Sequence, residues 1–201
     1  MKVKKDSYFK TMFAYIDSIN TLPESDKQII RESFEPCFMK KDSFISSAGK
    51  VPLYHNFIVS GYVRNYHIND KGEEVTTDLN DSARYFTSYN HFMNRTVSHE
   101  NICCITDCEI LRIERNMVDV TAEIGHTQKD FTMKILQKIL AEEKERMTDM
   151  ATLTADERYL KLMKEKPNIV QNVPLKYIAS YLGIKAESLS RIRRDVLLNK
   201  C

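Results

Sequence analysis

Residues 173–195 read VPLKYIASYLGIKAESLSRIRRD, and their pattern predicts two short helices joined by a tight turn. In the first half, Leu175 and Leu182 recur at helical spacing and therefore share one face. Pro174 suits the first turn of that helix, and Gly183 suits a left-handed residue just past its end. This arrangement is typical of a helix-turn-helix unit, whose second helix enters the major groove of DNA.

The second run, after the glycine, is also amphipathic and has a basic polar face. Leu189 and Ile192 lie on its apolar side, which we expect to pack on the first helix. The predicted DNA-binding residues are Lys176, Lys185, Glu187, Ser188, Ser190, Arg191 and Arg194. An ordinary helical hairpin with a solvated basic face is the alternative, because a motif match alone is a hypothesis.

Charge is distributed unevenly along the 201-residue chain, whose net charge is only +2. Residues 155–201 hold ten Lys and Arg against five Asp and Glu, whereas residues 1–154 hold twenty against twenty-three. A basic C-terminal quarter on a slightly acidic body indicates a small phosphate-contacting unit attached to a separate domain.

Residues 37–113 alternate short β-prone runs with Gly, Asn and Asp turn residues, and this pattern predicts many short strands. Two helices, over residues 7–20 and 23–35, precede this region. The predicted strands are residues 38–40, 44–46, 56–60, 62–68, 74–79, 102–105 and 109–113. Glycines and an Asn69–Gly72 hairpin turn separate the runs, and strands at this spacing are typical of a sandwich, barrel or jelly roll.

A long helix is predicted over residues 127–150, after a brief one over 116–123. Phe131, Ile135 and Met147 belong to its apolar stripe, which either packs on its own domain or pairs with a second copy. We favour pairing, because one helix-turn-helix unit seldom binds DNA tightly alone.

The link from the long helix to the C-terminal unit has its own signals. Residues 151–153 are the expected hinge, and Thr154 with Glu157 predicts a capping box that opens a helix through residue 164. Residues 169–173 are predicted as a short extended link, the place available for the strands of a wing.

Cysteine and histidine usage predicts no metal site and no cofactor. Five cysteines without a CxxC pair indicate free thiols, and Cys103, Cys104 and Cys108 are expected to be buried strand residues. Metal or redox sensing by that cluster is the alternative. The N-terminus lacks an apolar signal-peptide run, and no apolar stretch reaches membrane-spanning length, so we expect a cytoplasmic protein without membrane contact.

The order β-roll, long helix and helix-turn-helix resembles the family of the cyclic-AMP receptor protein and the fumarate–nitrate regulator, the Crp/Fnr family. The matching segments are Gly61–Arg64, the Asn69–Gly72 hairpin, Cys104–Ile110 and residues 175–194. The resemblance implies an α+β fold with three parts. These are a jelly-roll-like cyclic-nucleotide-binding-type domain (1–126), a dimerisation helix (127–150) and a winged-helix-like DNA-binding domain (151–201).

The resemblance also implies a homodimeric transcription regulator that binds a palindromic site on double-stranded DNA, with RNA polymerase as a further partner. The family's Arg-Glu-x3-Arg pattern aligns with residues 186–191, where Glu187 and Arg191 match and Ala186 replaces the first arginine. Because that arginine is missing, we expect a different operator sequence.

An effector pocket in the roll is implied as well, for an unknown small molecule. Cyclic-nucleotide-binding members carry a Gly-Glu motif followed by an Arg-Ser/Thr-Ala motif. In this chain the corresponding positions are residues 86–89 and 98–100, and they lack the glutamate of the first motif and the arginine of the second. A buried phosphate lacks its cation, so the pocket is expected to be degenerate. The predicted lining residues are Arg64, Tyr85, Phe86, Thr87, Ser88, Arg95, Ser98 and His99.

Two other functions compete with a DNA-binding regulator of unknown effector. One is a cyclic-nucleotide sensor with atypical pocket residues. The other is a cupin-type jelly-roll metalloenzyme, which usually needs clustered His and Glu ligands. No His-x-His pair, nucleophile triad or phosphate loop is present in the sequence, and we therefore predict that the chain is not an enzyme.

Overall fold

The N-terminal part of the fold consists of two helices that cover one face of a β-roll. A computed structural model describes residues 2–125 and 127–198. Helix α1 spans Lys2–Asp17 and α2 spans Glu24–Ser33. Met12 and Ile16 of α1 are fully buried, since they project from the same side of the helix onto the roll.

The roll is built from eight strands in two antiparallel sheets of four. The strands are β1 Glu35–Met39, β2 Phe44–Ser46, β3 Tyr54–Ser60, β4 Val63–Ile68, β5 Glu74–Asn80, β6 Arg84–Phe86, β7 Asn101–Cys104 and β8 Cys108–Glu114. One sheet has the order β1-β8-β3-β6 and the other β2-β7-β4-β5. A short helix α3, Tyr89–Asn94, follows β6. The predicted β-rich domain is confirmed, but β6 and α3 are additions to the expected elements.

The two central strands of the first sheet, β3 and β8, are buried on both faces near their middle, where successive residues point to opposite sides. Ile58 and Ile110 point into the space between the two sheets, whereas Phe57 and Leu111 point outward to the helices. All four side chains are at most 1% exposed. Two-sided burial accounts for the adjacent apolar residues at the centre of these strands, Phe57 with Ile58 in β3 and Ile110 with Leu111 in β8.

A long helix connects the roll to the C-terminal helices. Helix α4, Arg115–Ile124, leaves the last strand, and α5, Gln128–Thr152, follows. Phe131 and Ile135 of α5 pack into the same core as α1 and the first sheet. At the other end, Leu153 is extended and Thr154 caps α6, Ala155–Glu165. The capping box is complete, since Thr154 and Glu157 bind each other's backbone N–H.

The C-terminal unit contains helices only, among the residues that are described. After α6 come α7 Pro167–Asn172, α8 Leu175–Tyr181 and α9 Ala186–Leu198. The predicted extended link at 169–173 is therefore wrong, and so is the wing expected there. Pro167 begins α7, and Ile169 and Val173 are both buried because their four-residue spacing matches a helix turn.

Within the described ranges, none of the helices has the length and apolar character needed to cross a bilayer.

Candidate nucleic-acid interface

The turn between α8 and α9 has the geometry that the sequence predicts. Gly183 adopts a left-handed φ of 71°, and the N–H of Ile184 donates to the carbonyl of Ala179 at 3.0 Å. This six-residue closure satisfies a carbonyl at the end of α8 and turns the chain sharply. Ala179 is 1% exposed, because the two helices approach each other closely at this position.

The second helix presents a polar face directly opposite its buried face. Leu189 and Ile192 are buried against α8, so the residues half a turn away face solvent. Glu187, Arg191 and Arg194 lie on that open side and are all exposed. The structure thus brings three of the predicted DNA-binding residues together on one exposed face of α9.

The other predicted DNA-binding residues surround this face. Lys176, Lys185 and Ser190 are exposed, whereas Ser188 is half-buried at the side of the helix. The Ser190 hydroxyl donates to the carbonyl of Ala186 at 3.0 Å, so its proton is already used within α9. Lys176 lies with its Nζ 4.8 Å from the ring centre of Tyr177.

One further cation at this surface was missed by sequence analysis. Arg193 is exposed and, with Leu175 and Arg194, lines an open groove of about 620 Å³ between the start of α8 and α9. Its position in the Arg191–Arg194 run was a signal, but the helical pattern alone placed it toward the flank. It extends the positive surface toward α8, the helix that crosses the DNA backbone in such units.

The roll contains a cavity of about 640 Å³ at the place where the family resemblance implies an effector pocket. Of the predicted lining residues, Tyr85, Phe86, Thr87 and Ser88 line it. Strands β4 and β5 contribute Asn65 and Thr77 to the opposite wall, and α5 contributes Ile139 and Glu143. The cavity therefore lies between the roll and the long helix.

The structure places the other four predicted pocket residues away from the lining. Arg64 points to the outer side of β4 and contacts the rings of Tyr66 and Tyr177. Arg95 is exposed and pairs with Asp119 at 3.1 Å. Ser98 is buried behind the wall, where its hydroxyl lies 3.1 Å from that of Ser88, and His99 is exposed.

The charged groups around the cavity are largely paired with one another. Arg84 forms ion pairs with Asp78 at 3.3 Å and Glu142 at 3.1 Å. Burial opposes ionisation of Asp78, but Arg84, Lys166, Arg146 and the hydrogen bond from the Leu79 N–H together outweigh it and lower the pKa of that carboxyl. Arg84 is thus committed to protein carboxylates, which leaves it less available to a ligand anion.

Glu100 also faces the cavity and is held by two donors from the β4–β5 wall. Its carboxylate accepts hydrogen bonds from Thr77 at 3.0 Å and from Asn65 at 3.1 Å. Burial raises the pKa of Glu100 despite these bonds. A carboxylate in this position repels a phosphate, so the geometry disfavours a cyclic nucleotide.

A metalloenzyme of the cupin type needs a group of metal ligands. Among the described residues, no three His, Cys, Asp or Glu side chains are grouped as a metal site would require. Cys104 and Cys108 are buried in the core between the sheets, and Cys103 is half-buried. The Cys108 thiol donates to backbone carbonyls of Tyr62 and Thr106.

Comparison with known proteins finds no match to a family model and none to a curated protein sequence. Solved structures do match. FixK2 from Bradyrhizobium japonicum is 17% identical with a TM-score of 0.73, covering 83% of this chain and 86% of that one. The c-di-GMP-responsive regulator CLP from Xanthomonas campestris is 13% identical with a TM-score of 0.69, covering 89% and 93%.

A third similar structure comes from Eubacterium rectale and is assigned to the Crp/Fnr family of transcriptional regulators. It is 17% identical with a TM-score of 0.67, and the match covers 89% of this chain and 85% of that one. The chain thus has the α+β fold of Crp/Fnr-type regulators, which confirms the fold expected from the sequence resemblance.

Proposed function

We propose that this protein is a DNA-binding transcription regulator that acts as a homodimer on a palindromic site. The observation that carries the proposal is the exposed Glu187–Arg191–Arg194 face on the second helix of a helix-turn-helix unit. Similarity of fold to FixK2 and CLP supports this assignment. None of these three side chains is needed to pack the helix, so their exposure suits a role in binding.

The residues of this face divide into two roles by chemistry. Arg191 can donate to guanine through two N–H groups, and Glu187 can accept from a cytosine amino group. Lys176, Lys185 and Arg194 lie beside them and suit phosphate contacts, which position the protein without reading sequence. Arg193 belongs to this second group.

Dimerisation is proposed through an exposed apolar row on α5. Met133, Leu140 and Met147 recur every seven residues and are 56%, 70% and 71% exposed. Seven-residue spacing is the seam of a two-helix coiled coil. This row lies apart from Phe131 and Ile135, which are used inside the subunit, so α5 has one face for its own domain and one for a partner.

Regulation is proposed through the cavity, by an effector that is not an ordinary cyclic nucleotide. A ligand there would contact both the roll and α5, and would favour one arrangement of the dimer over another. The two recognition helices must lie about one DNA turn apart to bind adjacent half-sites, so a small rearrangement changes affinity.

Selection from a random duplex pool tests the DNA-binding role, followed by affinity measurements on the selected site. We expect a palindromic site, an affinity that falls steeply with salt, and a loss of at least tenfold in the double variant Arg191→Ala/Arg194→Ala. The matched control is Lys10→Ala/Lys40→Ala, which removes the same charge from exposed positions on the N-terminal half. Equal affinity for the double variant and this control would refute the proposed interface.

A further inference from the structure

Strands β4 and β5 form a wall whose two faces contact different parts of the molecule, the cavity and helix α8. Alternate residues point to opposite sides of a strand, so Asn65 and Thr77 line the cavity. Their neighbours Arg64 and Thr76 point the other way, toward α8 of the helix-turn-helix unit. A single strand pair therefore separates the cavity from the DNA-binding unit.

Helix α8 binds the open edge of this strand pair through one serine. Strand β5 is the last strand of its sheet, so half of its backbone groups have no neighbouring strand. The Thr76 N–H donates to the Ser180 hydroxyl at 2.8 Å, and that hydroxyl donates to the carbonyl of Glu74 at 3.3 Å. Ser180 thus takes the place of a residue in an adjacent strand.

An arginine sandwich strengthens the same contact. The Arg64 guanidinium lies 4.4 Å from the ring centre of Tyr66 and 4.2 Å from that of Tyr177, which belongs to α8. Its Nε donates to the Thr76 hydroxyl at 2.9 Å, and its other end pairs with Glu74. Arg64 is 2% exposed, so these interactions are shielded from water and salt.

Apolar residues from the roll complete the contact by entering the core of the C-terminal unit. Leu79 and Ile105 are buried in one cluster with Ile178 and Leu182 of α8, and Tyr62 packs against it. The C-terminal unit consequently shares its core with the roll. Its link to α5 at Leu153 is therefore not its sole attachment, since Arg146 of α5 also donates to the carbonyl of Tyr181.

From these contacts we infer that strand β5, and not the hinge at Leu153, sets the pose of the helix-turn-helix unit. The inference rests on the proposed DNA-binding function, and it names the element that carries regulation. A change at Thr77 on the cavity side displaces Thr76, its neighbour, on the α8 side. The strand therefore couples cavity and DNA-binding unit over one residue.

Hydrogen–deuterium exchange of the Thr76 amide tests the contact without any DNA. In Ser180→Ala, we expect this amide to exchange at least tenfold faster, because its acceptor is gone, while amides of β3 and β8 keep their rates. Ser18→Ala is the control, since the Ser18 hydroxyl bonds only within the end of its own helix. Unchanged Thr76 exchange in Ser180→Ala would overturn the inference.

The DNA affinity of the double variant Ser180→Ala/Tyr177→Leu tests whether this contact controls the pose that binds DNA. Neither residue lies on the exposed face of α9, but the Tyr177 ring packs under Lys176, so Lys176→Ala is measured alongside to give the direct contribution of that lysine. A loosened pose must be fixed again on binding, and we expect affinity to fall at least fivefold with helix content unchanged. Faster Thr76 exchange with full DNA affinity would refute control of pose. Absence of DNA binding in the unaltered chain would instead refute the proposed function, and the exchange result would still stand.

Discussion

Gly61 is the residue whose replacement the structure tolerates least among the four glycines with positive φ. Its φ is 100°, and an added Cβ would lie 2.5 Å from the carbonyl oxygen of Asp107 and 2.7 Å from the Cys108 sulfur. Both contacts are far below van der Waals distance, and the first is with backbone that cannot move aside. The glycine thus allows the turn between β3 and β4 to pack directly on the turn between β7 and β8.

Replacing Gly61 by alanine should therefore destabilise the protein by about 3 kcal/mol or more, since steric overlap adds to backbone strain. Gly72→Ala is the matched control: its φ is also positive, at 78°, but nothing lies within 4 Å of the added Cβ. That control should cost only about 1 kcal/mol. Chemical denaturation of both variants measures the difference, and equal losses would contradict the close approach at Gly61.

His55 makes stability depend on pH through its burial. Its ring is partly buried beside a small aromatic cavity, where it stacks 5.1 Å from Tyr85 and lies 3.0 Å from the Tyr89 hydroxyl. Burial lowers the pKa of His55 from 6.5 to about 4. The unfolded chain therefore binds a proton below pH 6.5 while the folded protein does not.

Stability should accordingly be complete above pH 6.5 and fall as pH drops toward 4, by about 3 kcal/mol from this group. Denaturation at a series of pH values measures the slope. In His55→Gln, which has no titrating ring, the slope between pH 6.5 and 5 should flatten even if overall stability is lower. A variant with the slope of the unaltered protein would show that another group causes the dependence.

At the scale of elements, the capping box at the start of α6 makes a measurable contribution to the stability of the protein. The Thr154 hydroxyl accepts from the Glu157 N–H at 3.3 Å, and the Glu157 carboxylate accepts from the Thr154 N–H at 2.8 Å. These bonds begin α6 immediately after the extended residue Leu153, so they define where α5 ends and the C-terminal unit starts.

Thr154→Ala should cost about 1 kcal/mol of stability, because the first turn of α6 loses its side-chain acceptor. Thr148→Ala is the control within α5, where the hydroxyl only bonds back to Lys144 and alanine favours the helix. Thermal melts of the two variants provide the comparison. If both variants melt together, the capping box does not stabilise α6.

Local signals of this kind determined how far the sequence could predict the elements. Pro174 and Gly183 bound α8, and Thr154 begins α6, so these two helices were predicted close to their observed ends. Strand β6 has three residues, Arg84–Phe86, with no alternation to detect. Residues 169–173 were wrongly predicted as an extended link, because helix α7 has only six residues and is too short to show helical periodicity.

The candidate site shows the same division between local and long-range information. The exposed face of α9 follows from helical spacing, because core and surface residues of one helix are fixed by the same periodicity. The pairing of Arg84 with Asp78 and Glu142 depends on how β5, β6 and α5 meet in space. Arg64 was expected to line the cavity. Successive residues of β4 point to opposite sides, so Asn65 lines the cavity and Arg64 faces α8.

At the scale of the whole molecule, α5 is the element that joins every other part. Its N-terminal half packs on the roll core, and its C-terminal half reaches the helix-turn-helix unit, where Arg146 donates to the carbonyl of Tyr181 at 3.3 Å. Lys161 of α6 bridges to Glu145 and Asp149 on the same half, and these bonds raise the pKa of Lys161. The remaining apolar row of α5, Met133, Leu140 and Met147, stays mostly exposed in one subunit, and of the three Leu140 also borders the cavity.

That row leads to a prediction about assembly. Replacing both Leu140 and Met147 by glutamate places like charges on each helix of the proposed seam, so a dimer should dissociate. Sedimentation velocity should show a dimer for the unaltered protein and a monomer for the double variant. The structure of each subunit should survive, because both side chains are about 70% exposed and make no core contact.

Leu160→Glu is the control, since Leu160 is 46% exposed but lies on α6, away from the seam. It should remain dimeric. DNA binding separates the consequences further: a monomer retains the exposed face of α9 but holds one half-site only, so the double variant should keep weak, salt-sensitive binding and lose preference for a palindrome. A dimer that persists after both substitutions would move the interface off α5, and would require another surface to set the distance between the two recognition helices.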